Sequence, residues 1–421
     1  MQKLLVIGYV WPEPKSSAAG ARMMQLLEFF LAEGFSISFA RTASETAFST
    51  DLSRLGISSE KILLNDPSFD SFARDLDPDV VLFDRFMMEE QFGWRISEAC
   101  PEALKILDTE DLHFLRKARL ETIRKKKELS PDLLFSDLAK REIASIYRCD
   151  LSLIISEFEM QLLRNEFQVP ENLLYYLPFM INIPSEEKIA KLPPFEEREH
   201  FVSIGNFRHE PNWDAVLNLK THIWPLIRKE LPQAEMHIYG AYASEKVFQL
   251  HDPLNGFLIK GRAESAKKVI QKAKVLLAPL RFGAGMKGKF TDAMQTGTPV
   301  VTTSLGAESM SKDNIWNGSI ADEPSEFATA AVALYRDKEK WKEAAKNGFE
   351  ILKKNFDAAQ HRQRFKKHLN KLSSDLESHR NSNFTGQMLT HHSINATKYL
   401  SRYIEMKMRL EKETALNKDR P

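Results

Sequence analysis

The stretch Ala278-Pro-Leu-Arg281-Phe-Gly283-Ala-Gly285-Met-Lys287-Gly288-Lys289-Phe-Thr-Asp292-Ala-Met-Gln-Thr-Gly297-Thr-Pro299-Val-Val301 decides how this chain is read. It starts at the end of an apolar run, Val275 to Pro279, passes through a glycine-rich loop, continues as a helix near 290–296 and reaches a second apolar run, Thr298 to Thr303. Strand, loop, helix, strand is the repeating unit of a parallel sheet covered by helices. Glycines at 283, 285 and 288 let backbone amides come close to a ligand. The helix N-terminus adds a partial positive charge, and Arg281, Lys287 and Lys289 add full ones. Such a loop suits an anion, and phosphate is its natural occupant. The letters Gly283 to Lys289 nearly spell the loop of P-loop NTPases, but Phe290 stands where a magnesium-binding Ser or Thr is required, and Thr291 comes one place late. The NTPase reading is therefore the weak one.

Upstream, the same grammar appears in Phe201 to Gly205, in Glu235 to Tyr239 ending in Gly240, and in Phe257 to Gly261. It also fills the first half: Lys3 to Gly8, a helix over 21–33 with Met23, Leu27, Phe30 and Leu31 at helical spacing, then Ser36 to Ala40, Asp79 to Phe83, and Leu151 to Ile155 followed by a helix from Glu157. Between the halves, Ser185 to Glu199 is charged and carries Pro193 and Pro194, which marks a linker. The expected fold is α/β, with two Rossmann-like domains whose parallel sheets face across a cleft. Residues 1–190 form the first domain, 191–372 the second, and 373–421 a polar linker and helical tail with Leu400, Tyr403 and Ile404 on one face. Ligands of such sheets bind at the carboxyl ends of the strands.

At 421 residues the chain is too long for one core, which agrees with two domains. The 59 basic and 58 acidic residues nearly cancel, so no nucleic-acid partner is expected. Cys100 and Cys149 are the only cysteines, too few for a disulfide framework or a thiolate zinc site and consistent with a reducing compartment. The N-terminus lacks the pattern of a signal peptide, and no run of about eighteen apolar residues occurs. A cytoplasmic location follows as an expectation, and the sequons at Asn317, Asn383 and Asn395 then read as chance.

The loop and helix from Gly283 with Gly297 to Val301 behind them, Val202 to Gly205 with Pro211-Asn212, the strand ending Tyr239-Gly240, and Gly256 to Gly261 together resemble the donor-binding region of GT-B glycosyltransferases of family 4, the glycosyl transferases group 1. The likeness spans roughly residues 200–310; the first half matches in pattern only. It implies a nucleoside diphosphate sugar as co-substrate on the second domain, no other cofactor, no metal, transfer with retention, and a glycan or lipid-linked glycan as acceptor. By the resemblance, Asp292 sits where a carboxylate binds the ribose. Arg208, Lys287 and Lys289 take the diphosphate, with Gly205, Arg281, Gly283, Gly285 and Gly288 completing the donor site. Two positions depart from the family pattern: Ala284 stands where many members carry a sugar-contacting Glu, and Asn206 where many carry an Arg. A non-catalytic nucleotide-sugar-binding protein and a GT-B epimerase therefore stay open beside the transferase.

In the first half, the small-residue loop Ser16 to Arg22 occupies the family's cleft-facing position, which makes Gly20 and Arg22 candidates for the acceptor or phosphate, while Ser16 or Ser17 is a candidate helix cap. Asp84-Arg85 with Glu89-Glu90, and Asp108-Thr-Glu110-Asp111-Leu-His113, follow predicted strands at the ends facing the cleft. His113 and Asp111, with Lys289 opposite, are the catalytic candidates, since family members commonly use a histidine here. The basic stretch Arg116-Lys-Ala-Arg119 and Arg124-Lys-Lys-Lys127 reads either as a solvated helix or as peripheral contact with an anionic membrane.

Overall fold

The structure is a computed structural model and describes residues 1–311 and 315–418. In the first half, β1 (Lys3–Gly8), β2 (Ser36–Arg41), β3 (Ser58–Lys61), β4 (Val80–Asp84), β5 (Leu104–Asp108), β6 (Leu151–Ile154) and β7 (Leu174–Tyr176) form one sheet in the order β3-β2-β1-β4-β5-β6-β7. Every pairing is parallel. Leu4 to Ile7 and Val81 to Phe83 are wholly buried, as strands covered on both faces must be. Chain order reverses between β1 and β4, so a crevice opens beyond Gly8, Asp84 and Asp108.

The second sheet joins β8 (Glu199–Ile204), β9 (Met236–Tyr239), β10 (Phe257–Gly261), β11 (Ala273–Ala278), β12 (Val300–Thr302) and β13 (Gly318–Ile320) in the order β10-β9-β8-β11-β12-β13, again all parallel. Its reversal lies between β8 and β11, and the loop after β11 is the glycine loop. The anion candidate thus sits at the switch point of its sheet. The strands that left little trace in the sequence are short or peripheral: β3 is polar and exposed, and β7 and β13 span three residues each.

Two parts of the C-terminal region lie elsewhere than periodicity alone suggests. The helix Ala358–Ser374 leaves the second domain after Phe356 and puts Ala358, Phe365, Leu369 and Leu372 into the first domain's core with Leu27, Phe29, Phe30 and Leu151. The Phe365 ring lies 4.8 Å from that of Phe29 and 5.2 Å from Tyr175. The expected second-domain segment up to 372 therefore ends in space near residue 357, because an apolar stripe shows that a helix is covered but not by what. The tail is not a detached appendage either. Arg380 pairs with Asp150 at 2.8 Å. The helix Phe384–Lys418 runs along the helices Phe86–Ala99 and Asp137–Arg148, held by Arg95 with Glu405, Lys398 with Glu98, and Arg402 with Asp70. Its attachment is ionic, and the expected apolar face is turned outward, with Leu400 and Tyr403 exposed.

Cys100 and Cys149 are free and buried. Among the described residues no helix is long and apolar enough to cross a membrane.

Candidate active site

On the second domain, the helix Gly288–Gln295 starts directly after the glycine loop. Gly283 and Gly285 have φ of 147° and 62°, backbone that other residues adopt only with strain. Both Gly285 and Gly288 also serve close approach across the cleft. A Cβ on Gly285 would stand 2.8 Å from Asp111 Cβ, and one on Gly288 3.0 Å from Ala18 Cβ. The loop meets the first domain at the residues read as catalytic.

Lys289 Nζ donates to Asn212 Oδ1 at 2.7 Å. Asn212 in turn packs so tightly on Gly205 that a Cβ there would come within 2.5 Å of it, which gives Gly205 a steric reason for being glycine. Burial, aided by the charge of Lys287, pushes the Lys289 ammonium down to about 8. Lys287, whose Nζ donates to Gly285 O at 3.0 Å, is pushed to about 8 by burial against the opposing pull of Glu308. One turn further, burial raises Asp292 to about 6 although Lys267 lies 3.9 Å away. Arg208 stacks over Tyr242 at 3.6 Å, and the Tyr242 hydroxyl donates to Glu13 of the first domain at 2.8 Å. Arg281 is turned aside into a two-pronged pair with Asp214. Ala284 is buried in the first domain's apolar cluster, so this position offers a sugar no polar group.

On the first domain, the site hangs from the ends of β4 and β5. Arg85 and Glu110 have φ of 70° and 62°, a strained backbone that the fold tolerates on both strand ends. The helix His113–Lys125 has no side-chain cap of its own. Its leading amides are met by buried carboxylates from two other helices: Glu142 accepts from His113 N at 3.1 Å and Phe114 N at 3.0 Å, and Glu159 accepts from Leu112 N at 3.0 Å. His113 is thereby fixed with Nε2 3.5 Å from Asp111 Oδ1 and its ring edge-on to Phe86. Burial lowers His113 to about 4 despite Asp111, so the imidazole is neutral near pH 7. Burial alone would raise Asp111, but Arg116 and His113 hold it at about 2, so it is ionised. Burial and the neighbouring Asp108 raise the Glu110 carboxyl well above the usual range. His209 reaches over from the second domain close enough to interact electrostatically with Asp111, Arg116 and Lys289.

Gly20 and Arg22 are taken up by the fold. Arg22 is buried, with Nε on both oxygens of Asp108 at 2.9 and 3.1 Å and Nη1 on Leu177 O at 2.7 Å, so it cannot reach a ligand in the cleft. A Cβ on Gly20 would strike the Glu13 backbone at 2.5 Å; the glycine lets that loop fold over the helix Ala18–Ala32, which Ser17 caps. The basic stretch also divides. Arg116 pairs with Asp111, Arg119 donates to Gly283 O and pairs with Glu308, and Arg124 reaches Glu210 at 3.5 Å, while Lys126 and Lys127 stay exposed. The resemblance to a P-loop ends at Thr291, whose hydroxyl donates to Gly288 O at 2.8 Å, and at Phe290, which is fully buried.

Sequence reasoning missed Asn212 as a site residue, and with it His209, Arg119, Glu159, Glu308 and Ser309. Asn212 stood in a motif and Arg119 in the basic stretch that could have flagged them; the others have no characteristic spacing and matter because two domains meet.

Two doubly wound parallel domains face each other across a cleft, with a glycine loop at the switch point of the second, and this arrangement is the GT-B fold. Residues 198–337, the body of the second domain, match the family described as Glycosyl transferases group 1. A curated relative from Klebsiella pneumoniae, an uncharacterized 44.6 kDa protein in a cps region, is 25% identical over 162 residues, covering 37% of this chain and only 42% of the relative. HepE of Anabaena, solved with UDP and glucose, superposes with a TM-score of 0.66 at 15% identity over 88% of this chain and 100% of its own. TarM of S. aureus, in complex with fondaparinux, alpha-GlcNAc-glycerol and UDP, superposes at 0.67 with 10% identity over 88% and 100%. Sucrose-phosphate synthase of Thermosynechococcus elongatus superposes at 0.67 with 15% identity over 89% and 100%. At these identities the likeness concerns the fold.

Proposed function

We propose that the protein is a glycosyltransferase that draws its sugar from a nucleoside diphosphate sugar held on the second domain. One observation carries the reading. Lys289 is held half-buried at the helix start with a neutral Asn212 for its partner, its pKa pushed down to about 8 by desolvation, so a binding anion would relieve it. Asp292, a turn along the same helix, suits paired ribose hydroxyls. Ionised Asp111 and neutral His113 stand opposite, where an acceptor or the transferred sugar would be held by hydrogen bonds. As the bond from the anomeric carbon to the diphosphate oxygen breaks, charge grows on that oxygen. Lys289, Lys287 and the helix N-terminus are in place before it does, so they stabilise it without reorganising. These cations supply the role a metal has in other transferases, and the reading takes the enzyme as metal-independent. Retention of configuration and a glycan or lipid-linked glycan acceptor complete the proposal, supported by the resemblance and by neighbours solved with UDP and glycan-like molecules. A cytoplasmic enzyme touching an anionic membrane would do so through cations the cleft leaves free, Lys126 and Lys127.

The test is thermal stability against nucleotides and nucleotide sugars, followed by release of diphosphate from the sugar nucleotide that binds. A ligand at about a hundred times its Kd stabilises by roughly 2.7 kcal/mol. Selective stabilisation by one nucleoside diphosphate, lost in Lys289→Ala and Asp292→Ala, is expected. No response to any diphosphate overturns the reading. Binding without transfer to any acceptor or to water leaves a nucleotide-sugar-binding protein, and an altered sugar still attached to nucleotide marks an epimerase.

A further inference from the structure

Glu159 is fully buried in the helix Glu157–Asn165 and performs two tasks with one oxygen. Its Oε1 accepts from Leu112 N at 3.0 Å, at the start of the helix that carries His113, and from Gly285 N at 2.9 Å, in the glycine loop of the other domain. Its Oε2 is buried without a hydrogen-bond partner among the described residues. A buried carboxylate depends on its N–H donors for the hydrogen bonds that water no longer gives it. Here one of those donors belongs to the opposite domain.

We propose that Glu159 is a positioning residue that latches the glycine loop to the first domain, so that the donor loop and the helix bearing His113 take up their working places together. Four neighbouring contacts follow the same seam. Arg119 donates to Gly283 O at 2.9 Å and pairs with Glu308 at 2.7 Å, the Ser156 and Ser309 hydroxyls meet at 3.0 Å, and Phe158 N donates to Ser309 Oγ at 3.0 Å. Ser309 holds a left-handed φ of 59° to do so. The seam is also as tight as a glycine permits, given the 2.8 Å that would separate a Cβ on Gly285 from Asp111. The Gly285 amide is therefore engaged by the protein's own carboxylate, which leaves the diphosphate to Lys289, Lys287 and the helix start at Gly288. Burial and the charge of Asp111 push Glu159 up to about 7, against the two amides and Lys287.

The latch rests on the transferase reading only for its kinetic consequence, and two of its readouts need no turnover. The variants are Glu159→Ala, Glu159→Gln, Glu159→Met and, from the other side of the contact, Gly285→Ala in the full chain. Solution scattering and amide hydrogen exchange report the closure, and UDP binding with steady-state kinetics reports its use. In Glu159→Ala a larger radius of gyration and exchange about tenfold faster at Gly283 and Gly285 are expected, with kcat down about tenfold and the UDP Kd within about twofold. Glu159→Gln keeps one acceptor oxygen and restores most of both, whereas Glu159→Met, which fills the space with no acceptor, restores neither. Gly285→Ala reproduces the opening with Glu159 intact, and decides the matter if Glu159→Ala fails to fold. A protein that opens in these variants yet transfers no sugar keeps the latch and loses the transferase. Unchanged scattering and exchange in both Glu159→Ala and Gly285→Ala overturn the latch, whatever the turnover.

Discussion

The two sides of the cleft handle charge in opposite ways. In the first domain, buried cations are answered by carboxylates: Arg22 by Asp108, Arg148 by Glu89, Arg95 by Asp70 and Glu405. In the second, half-buried Lys289 rests on a neutral amide, and buried Lys287 on a backbone carbonyl, with the carboxylates of Glu308 and Glu159 acting on it without a direct pair. A buried pair is complete and holds the fold together, whereas a buried cation without a carboxylate raises the energy of the empty state. The difference explains why Arg22 and Lys289, both cations close to a glycine near the starts of their helices, end in different roles.

The largest effect should come from breaking the scaffold. Asp108→Ala leaves Arg22 buried without its carboxylate and should cost about 3–5 kcal/mol, read as a lowered denaturation midpoint, with UDP affinity nearly unchanged in the protein that remains folded. A loss under about 1 kcal/mol would erase the distinction between the two sides. Next comes the site. Lys289→Met should lower kcat/KM by roughly a hundredfold to a thousandfold with a denaturation midpoint equal to or above that of the native protein, since the change removes an uncompensated cation. A variant both inactive and unstable would make Lys289 part of the scaffold.

Asp292→Asn should weaken a ribonucleoside diphosphate by about tenfold to a hundredfold, the worth of hydrogen bonds to a charged group, and leave a 2′,3′-dideoxy analogue almost unaffected in calorimetry. Equal losses for both would take Asp292 off the ribose. The gentlest test is pH. Asp292 is raised to about 6, so its charge is lost as pH falls through that value; Lys289 is lowered to about 8, so its charge is lost as pH rises through that one. UDP affinity should therefore peak between about 6 and about 8, falling by at most about tenfold per pH unit on the acid side, the limit for one linked proton, and more steeply on the alkaline side, where Lys287 is also lowered to about 8. Lys289→Arg should make the upper limb shallower.

Much of this was legible in the chain. Leu4 to Ile7 and Val275 to Ala278 are apolar runs too short for helices and bounded by glycine or proline, and each became a buried parallel strand. Gly283 and Gly285 announced backbone that only glycine adopts freely, and both have positive φ. Where the reading stopped, the missing information was about partners. Arg22 and Lys289 look alike in sequence, and nothing local says that Asp108, 86 positions on, will neutralise one of them. Glu159 lies 126 residues from Gly285 and in no motif.

What the sequence by itself determined is what depends on neighbours along the chain: the strand and helix periods, the glycine loop at a strand's end, a serine cap at 16 or 17, and the anion-seeking chemistry of residues 283–292. Only the tertiary structure decided that the helix Ala358–Ser374 returns to the first domain, that the tail is tied down by ion pairs, which buried cations are paired, and that Glu142 and Glu159 supply the cap missing from the His113 helix. The division has a physical cause. Backbone geometry and amphipathic spacing are set over a few residues, while burial, pairing of charge and the pKa values that follow are set by whichever distant segments close around a side chain.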